Sequence, residues 1–349
     1  MLKLSDFDYN LPKELIAQYP LKERDAARLL VLDRAKGTIE HRVFKDILNY
    51  LNKDDLIVLN DTKVLRARLK GSRLTSGKVE VLLLNRKNGL TFNALIKPAR
   101  IKPGEKIIFT PLETMDRQRK DKMSLTGLNG GRIFGQISAK NEITFNAKDI
   151  DAVYNLGLMP LPPYIKRDPQ DLDNVYYQTV YANEKGAIAS PTAGLHFTNE
   201  LIKKIQSLSI NIAYITLHVG LATFRPVKAD DITKHKMEPE YFKICDDAIS
   251  SIEKARIKKS RIFAVGTTTL RALETYVSGI KEGYTDLFIY PGYKFDIADC
   301  LLTNFHLPAT TLFMLVCAFV GEKWIKKAYQ EAIDRKYRFY SYGDAMLIV

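Results

Sequence analysis

Hydrophobic residues in this chain fall in short runs that stop abruptly at polar clusters, and the texture of those runs changes twice along its length. Near the start, Leu11 to Tyr19 predicts a short helix with Pro12 in its first turn, where a missing N–H costs nothing. Arg28 to Asp33 and Thr38 to Val43 predict two strands around Lys36-Gly37, and Phe44 to Leu51 predicts a helix. Asp55 to Leu59 reads as a buried strand ending at Asn60-Asp61-Thr62-Lys63. That ending is either part of a site or an Asx-turn that stops the strand.

From Arg68 the runs become short and alternating, as in Lys78 to Leu83, Thr91 to Ile96 and Lys106 to Phe109. Turn signals separate them: Ser76-Gly77, Asn88-Gly89, Lys102-Pro103-Gly104 and Gly130-Gly131, with a polar loop from Glu113 to Asn129. Many short strands with no long helix predict a small β-barrel or sandwich. After Ile150 the mixed texture returns. The fold class is therefore an α/β main domain with an inserted all-β barrel-like domain, the main domain formed by 1–67 and 151–349 and the insert by 68–150.

The prolines of Gly157 to Ile165 enforce an extended segment, which as a plain structural feature is a domain-crossing linker. Thr198 to Leu208 predicts an amphipathic helix, Asn211 to Leu217 and Arg261 to Val265 strands, and Leu270 to Val277 a helix. Leu312 to Val320 is the longest strongly apolar run. It is too short to span a bilayer and predicts a buried helix.

Four segments end at small and polar residues: Ile188 to Phe197, Leu217-His218-Val219-Gly220, Ala264 to Thr269, and Thr303 to Pro308. Apolar strands that finish in Gly, Thr and His deliver reactive groups to one edge of an α/β sheet. His196, His218 and His306 share that context, and convergence of even two would supply acid–base chemistry, although a single His after a strand is more often structural. Gly266 to Thr269, with Arg271 one turn on, offers hydroxyls and backbone donors. It is either an anion cradle or a helix capped by threonine. No His-x-x-x-His, Cys-x-x-Cys or Gly-x-Ser-x-Gly spacing occurs, which argues against a metal site and a nucleophile elbow.

Charge sharpens this picture. The chain has 53 Lys and Arg against 40 Asp and Glu, and 17 of the basic residues but only 7 of the acidic ones lie between Arg68 and Ile150. A positive field concentrated in the insert suits a polyanion, and equally a lysine-rich solvated surface. Cys245, Cys300 and Cys317 are far apart and predict reduced structural thiols. The N-terminus carries no signal-peptide core, so a cytoplasmic protein is expected.

Motifs along nearly the whole chain carry a family resemblance. They include Asp6-Phe7-Asp8-Tyr9-Asn10-Leu11-Pro12, Asn60-Asp61-Thr62-Lys63-Val64, Met159 to Ile165, Tyr177-Gln178-Thr179-Val180-Tyr181, Pro191 to Phe197, Thr223 to Val227, Val265-Gly266-Thr267-Thr268, Ile289 to Tyr293, Thr303 to Pro308 and Tyr337 to Met346. In these the chain resembles the S-adenosylmethionine:tRNA ribosyltransferase-isomerases of queuosine biosynthesis. Three departures stand out: Ala222 replaces a usual Gly, Glu238-Pro239 follows Met237 in place of His-Ser, and Glu274 to Thr285 is short.

The resemblance implies that S-adenosylmethionine donates a ribosyl group to a 7-aminomethyl-deazaguanine at the tRNA wobble position, with loss of adenine and methionine and formation of epoxyqueuosine. It implies no metal and no prosthetic group, with tRNA as partner; no membrane association and a monomer are expected. From the strand endings, the catalytic residues are expected to be His196, His218 and His306. The donor-binding residues are Thr192, Ala193, Gly194, Gly266, Thr267, Thr268, Arg271 and Asn304. The tRNA-binding residues, taken from the charge of the insert, are Lys70, Arg73, Lys97, Arg100, Lys102, Arg117, Arg119, Lys120 and Lys122. Two other classes remain open at this point. One is a glycosyl-transferring enzyme with a different donor, which donor preference would separate. The other is a non-catalytic RNA-binding protein, which turnover with adenine release would separate.

Overall fold

The computed structural model describes residues 2–109, 133–220, 227 and 229–349. In chain order the first strands are β1 (Arg28–Asp33), β2 (Thr38–Val43), β3 (Leu56–Asn60) and β4 (Thr62–Val64). They are followed by β5 (Arg68–Arg73), β6 (Lys78–Asn88), β7 (Thr91–Lys97), β8 (Lys106–Phe109), β9 (Ile133–Ala139) and β10 (Glu142–Phe145). Next come α1 (Ile150–Asn155), α2 (Asp171–Tyr176), β11 (Glu184–Ala187), α3 (Asn199–Ser207), β12 (Asn211–Leu217), β13 (Glu240–Ile244), α4 (Asp246–Lys258) and β14 (Ile262–Val265). The chain finishes with α5 (Thr267–Tyr276), β15 (Glu282–Thr285), β16 (Cys300–Asn304), α6 (Thr311–Val320), α7 (Glu322–Asp334) and β17 (Ala345–Ile348).

Two compact units result. One comprises Met1–Val64, Pro162–Asp168 and Val175–Val349; the other comprises Leu65–Leu161 and Pro169–Asn174. The first is built on a nine-stranded sheet of order β15-β13-β12-β3-β14-β16-β17-β1-β2. Within it β12, β3, β14 and β16 are consecutive parallel neighbours, so their C-terminal ends lie along one edge. β3, β14 and β16 are buried throughout, which is why they read as unbroken apolar runs. Alternate side chains serve opposite faces: Leu56 and Val58 enter one core with α6 residues, Ile57 and Leu59 the other with α3 residues.

The second unit is a closed barrel, β10-β7-β6-β5-β8-β9. Its strands alternate, Val79, Val81 and Leu83 pointing to a core shared with Phe92, Ile107 and Ile143. Closure removes the edges that a short open sheet would expose. The mixed α/β sheet and the barrel are the two architectures that the hydrophobic pattern predicts.

Local elements differ in instructive ways. Leu11 to Tyr19 is not a helix but one 3-10 turn, Lys13–Leu15. Its backbone is committed elsewhere: Ala17 N–H donates to the Phe339 carbonyl, and Phe339 N–H to that of Leu15. Phe44–Tyr50 winds as a 3-10 helix, its start held by the Asp46 carboxylate accepting from Val43 N–H at 3.1 Å. α5 begins at Thr267, earlier than the predicted Leu270, and no threonine caps it. Gly266 takes the cap position at φ 91°, a conformation that costs a side-chain-bearing residue. Thr269 sits inside the first turn, its hydroxyl donating back to the Val265 carbonyl at 2.7 Å.

Candidate active site

At the shared edge of the four parallel strands, a cavity open to solvent lies in the first unit. Its walls come from chain ends rather than one contiguous motif. Ser190 to Ala193 contribute from the segment after β11, Gly266 to Thr268 from the start of α5, and Thr303 to His306 from the end of β16. Tyr164, Val219, Leu312, Tyr340 and Ser341 complete the lining.

A hydrogen-bond chain fixes these walls. Thr192 hydroxyl donates to Asn304 Oδ1 at 2.9 Å, and Asn304 Nδ2 faces His196 Nε2 at 3.2 Å as well as the Tyr340 carbonyl at 3.2 Å. An amide nitrogen only donates, so His196 accepts at Nε2 and carries its proton on Nδ1. His196 itself does not line the cavity. It is buried, packs at 4.9 Å on Phe44, and reaches the site through Asn304. Burial pushes its pKa down to about 4, so the ring is neutral near pH 7.

His306 does stand on the cavity wall. Its Nε2 lies 2.8 Å from the Thr303 hydroxyl, and its backbone N–H donates to the Tyr329 hydroxyl at 3.0 Å. Burial drives its pKa to about 3, again a neutral imidazole. His218 lies one residue outside the lining, with Val219 taking the wall position. Half-buried, it sets Nδ1 at 2.7 Å from the Thr62 hydroxyl and stacks at 5.3 Å on Tyr241. Burial lowers its pKa, an effect that Glu184 opposes. Of the three histidines, then, one faces the cavity directly.

The donor-site candidates divide as well. Thr192, Ala193, Gly266, Thr267, Thr268 and Asn304 all line the cavity. Gly194 and Arg271 do not. At Gly194 a side chain would meet the Tyr181 hydroxyl at 2.0 Å, so its smallness serves close packing against that ring. Arg271 is only 3% exposed and forms an ion pair with Glu240, while its Nε donates to the Leu287 carbonyl at 3.0 Å. The same carboxylate accepts from Gly220 N–H at 2.8 Å, tying the segment after β12 to α5. Ala222 and Thr223 to Pro226 lie outside the described residues.

Several residues at the site are not among the predicted catalytic and donor-binding residues. Asn60 joins two strand ends, its Nδ2 donating to the Leu217 carbonyl at 3.0 Å and to the Thr268 hydroxyl at 3.2 Å. Asp61 accepts from the Thr216 hydroxyl at 2.7 Å, and burial raises its pKa. Tyr340 lines the cavity with φ at 73°, a strained conformation for an aromatic residue, and its ring centre lies 3.9 Å from that of Tyr164. The polar cluster after β3 hinted at Asn60 and Asp61. Nothing in the sequence pointed to the backbone of Tyr340.

On the barrel, Lys70, Lys97, Arg100 and Lys102 are exposed, whereas Arg73 pairs with Glu105 at 3.4 Å. Arg117, Arg119, Lys120 and Lys122 lie outside the described residues, as does the loop from Glu113 to Asn129. No helix among the described residues is long and apolar enough to cross a membrane.

Comparison with known proteins gives a consistent result. A family model described as queuosine biosynthesis protein matches residues 4–348. A protein of Sulfurihydrogenibium sp. named S-adenosylmethionine:tRNA ribosyltransferase-isomerase is 50% identical, over 100% of both chains. Its namesakes from Halothermothrix orenii and Aquifex aeolicus are 47% and 44% identical over the same full extent. Among solved structures, an S-adenosylmethionine tRNA ribosyltransferase from Thermotoga maritima superposes with a TM-score of 0.55 at 33% identity, covering 99% of this chain and 100% of the other.

Proposed function

The chain belongs to the queuosine biosynthesis protein family, and on that premise we propose that it is an S-adenosylmethionine:tRNA ribosyltransferase-isomerase of the cytoplasm. S-Adenosylmethionine is a ribosyl donor here, and the acceptor is the aminomethyl amine of a 7-deazaguanine at the wobble position of tRNA. A base takes the proton from the carbon beside sulfur, the C–O bond at the neighbouring sugar carbon breaks, and adenine departs with a proton to leave an aldehyde. The amine bonds to that neighbouring carbon and gives up a proton. The sulfur-bearing carbon then bonds to the aldehyde carbon, and the alkoxide so formed displaces methionine. The sugar closes to an epoxycyclopentanediol, giving epoxyqueuosine in the tRNA. The observation that carries this reading is the cavity at the ends of four parallel strands, where the polar endings of β14 and β16 meet Ser190 to Ala193.

What such chemistry demands fits what the cavity offers. A proton must leave the carbon beside the sulfonium, whose positive charge acidifies it, and adenine needs a proton to depart. His306 is the imidazole on the wall and the candidate to move a proton. With a pKa pushed down to about 3 by burial it is a weak base, so the driving force for proton removal comes from the sulfonium that acidifies the carbon rather than from the strength of the base. Asn304, held by Thr192 and His196, is oriented to address the donor, and His196 is a positioning residue behind it. His218 would act from the neighbouring strand end. Thr267 and Thr268 at the start of α5 offer hydroxyls and helix N–H donors to the donor's polar groups. Buried walls keep water from the intermediates.

For the tRNA, the basic barrel is the proposed contact surface. Lys70, Arg73, Lys97, Arg100 and Lys102 are the described candidates, with Arg117, Arg119, Lys120 and Lys122 beyond them. Contacts to phosphate position the RNA without reading its sequence. The protein is proposed to act as a monomer. Incubated with S-adenosylmethionine and tRNA bearing the aminomethyl-deazaguanine, it should release adenine and methionine in equal amounts as the tRNA gains the ribosyl-derived group. Methylated tRNA without adenine release would contradict the proposal.

A further inference from the structure

Most hydroxyls on the cavity wall are committed to the protein. Thr192 donates to Asn304, Thr303 bonds His306, Thr268 accepts from Asn60, and Ser341 bonds the Tyr164 hydroxyl at 2.5 Å. Ser190 differs. It is 5% exposed, it lines the cavity, and its Oγ has no hydrogen-bond partner among the described residues. Its backbone neighbours are pinned, Ile188 and Ala189 N–H both donating to the Val219 carbonyl and Gly194 N–H to that of Pro191. The main chain that carries the hydroxyl is therefore held in place. A buried hydroxyl without a partner costs stability, about 1–3 kcal/mol, and native structures rarely keep one without a use.

The opposite requirement appears on the adjoining wall. α5 is ten residues long and begins at Thr267 with no side-chain cap, and Gly266, Thr267 and Thr268 line the same cavity as Ser190, so the uncapped helix start lies at that wall. Helix N-termini favour anions, and a hydroxyl is a natural additional donor to an anionic oxygen. Tyr164 and Tyr340 supply the aromatic part of the lining, suited to the flat base of a nucleoside.

We infer that Ser190 is a ligand-binding residue whose hydroxyl donates to the carboxylate of the bound donor, seated between Ser190 and the N-terminus of α5. The inference rests on the reading of this cavity as the S-adenosylmethionine site, and it adds an orientation: amino-acid end at Ser190 and α5, purine toward Tyr164 and Tyr340.

The test is Ser190→Ala, measured by calorimetry on the full chain with S-adenosylmethionine and with its decarboxylated analogue, alongside thermal unfolding without ligand. Affinity for S-adenosylmethionine should fall about 10- to 100-fold, the usual consequence of losing one hydrogen bond to a charged group. Affinity for the decarboxylated analogue should stay put. The melting temperature of the empty variant should equal or exceed that of wild type, because an unpartnered polar atom has been removed. Unchanged affinity for S-adenosylmethionine with a lowered melting temperature would make Ser190 structural and overturn the inference alone. Equal losses for both ligands would overturn the carboxylate assignment. A wild type that binds neither ligand would overturn the donor reading and this inference with it.

Discussion

The sheet-edge cavity and the barrel use polar residues in opposite ways. Around the cavity, most polar groups are buried, uncharged and bonded to one another: His196 and His306 are neutral, Thr192 bonds Asn304 across segments, and Thr303 bonds His306. On the barrel, Lys97, Arg100 and Lys102 stand in solvent and show no ion pair among the described residues. The first arrangement suits holding a small ligand in one position and tolerates little change. The second makes a diffuse field that tolerates much, because each contact to a polyanion contributes modestly and additively. One chain thereby carries a precise surface and a permissive one, each folding around its own core.

The largest effect that would sharpen this contrast is on turnover. His306→Ala should lower adenine release by about 10²- to 10⁴-fold, the usual scale for losing general acid–base catalysis. Its tRNA affinity and salt dependence should match wild type. Near-normal turnover in a folded variant would remove His306 from the chemistry.

A smaller but differently shaped effect is expected on the barrel. Replacing Lys70, Lys97, Arg100 and Lys102 together with Gln should flatten the log–log salt dependence of tRNA affinity by up to about three units, at ~0.7–0.9 for each phosphate no longer neutralised. The dissociation constant for S-adenosylmethionine should not move. A salt slope equal to that of wild type would mean that these residues only solubilise the barrel.

The sequence foretold the barrel as a whole and the site only in pieces. Alternation in Val79-Glu80-Val81-Leu82-Leu83 and the turn pairs beside it have direct physical meaning, so the all-β block was legible. Strand endings at Asn60, His218, Val265 and Asn304 were legible for the same reason, since apolar runs end where burial ends. Which ending faces the cavity was not. Arg271 looked like an anion partner, yet Glu240, thirty-one residues upstream, meets it in the core. Composition cannot reveal a partner that only the β13 register brings near. Ser190 and Tyr340 were invisible for a related reason: a missing hydrogen bond and a positive φ are properties of the folded backbone.

The smallest effect concerns pH. His196 and His306 have folded pKa values of about 4 and about 3, below the ordinary value near 6.5. Below about pH 6.5 the unfolded chain binds protons there that the folded chain does not. Stability should therefore fall as pH drops from about 6.5 toward 4, each histidine contributing up to about one proton to the slope. In His306→Gln that slope, from urea unfolding at several pH values, should be shallower by about one proton. An unchanged slope would mean that the ring is not buried as a neutral group.

Hydrogen exchange read by mass spectrometry, with and without S-adenosylmethionine and in the absence of tRNA, addresses the division between the two surfaces most directly. Ligand should slow exchange in peptides covering 188–197, 264–270, 301–307 and 339–342, the segments that hold the cavity wall. Barrel peptides within 68–109 should exchange at the same rate in both conditions. Protection of the barrel, with none at the sheet edge, would contradict the account.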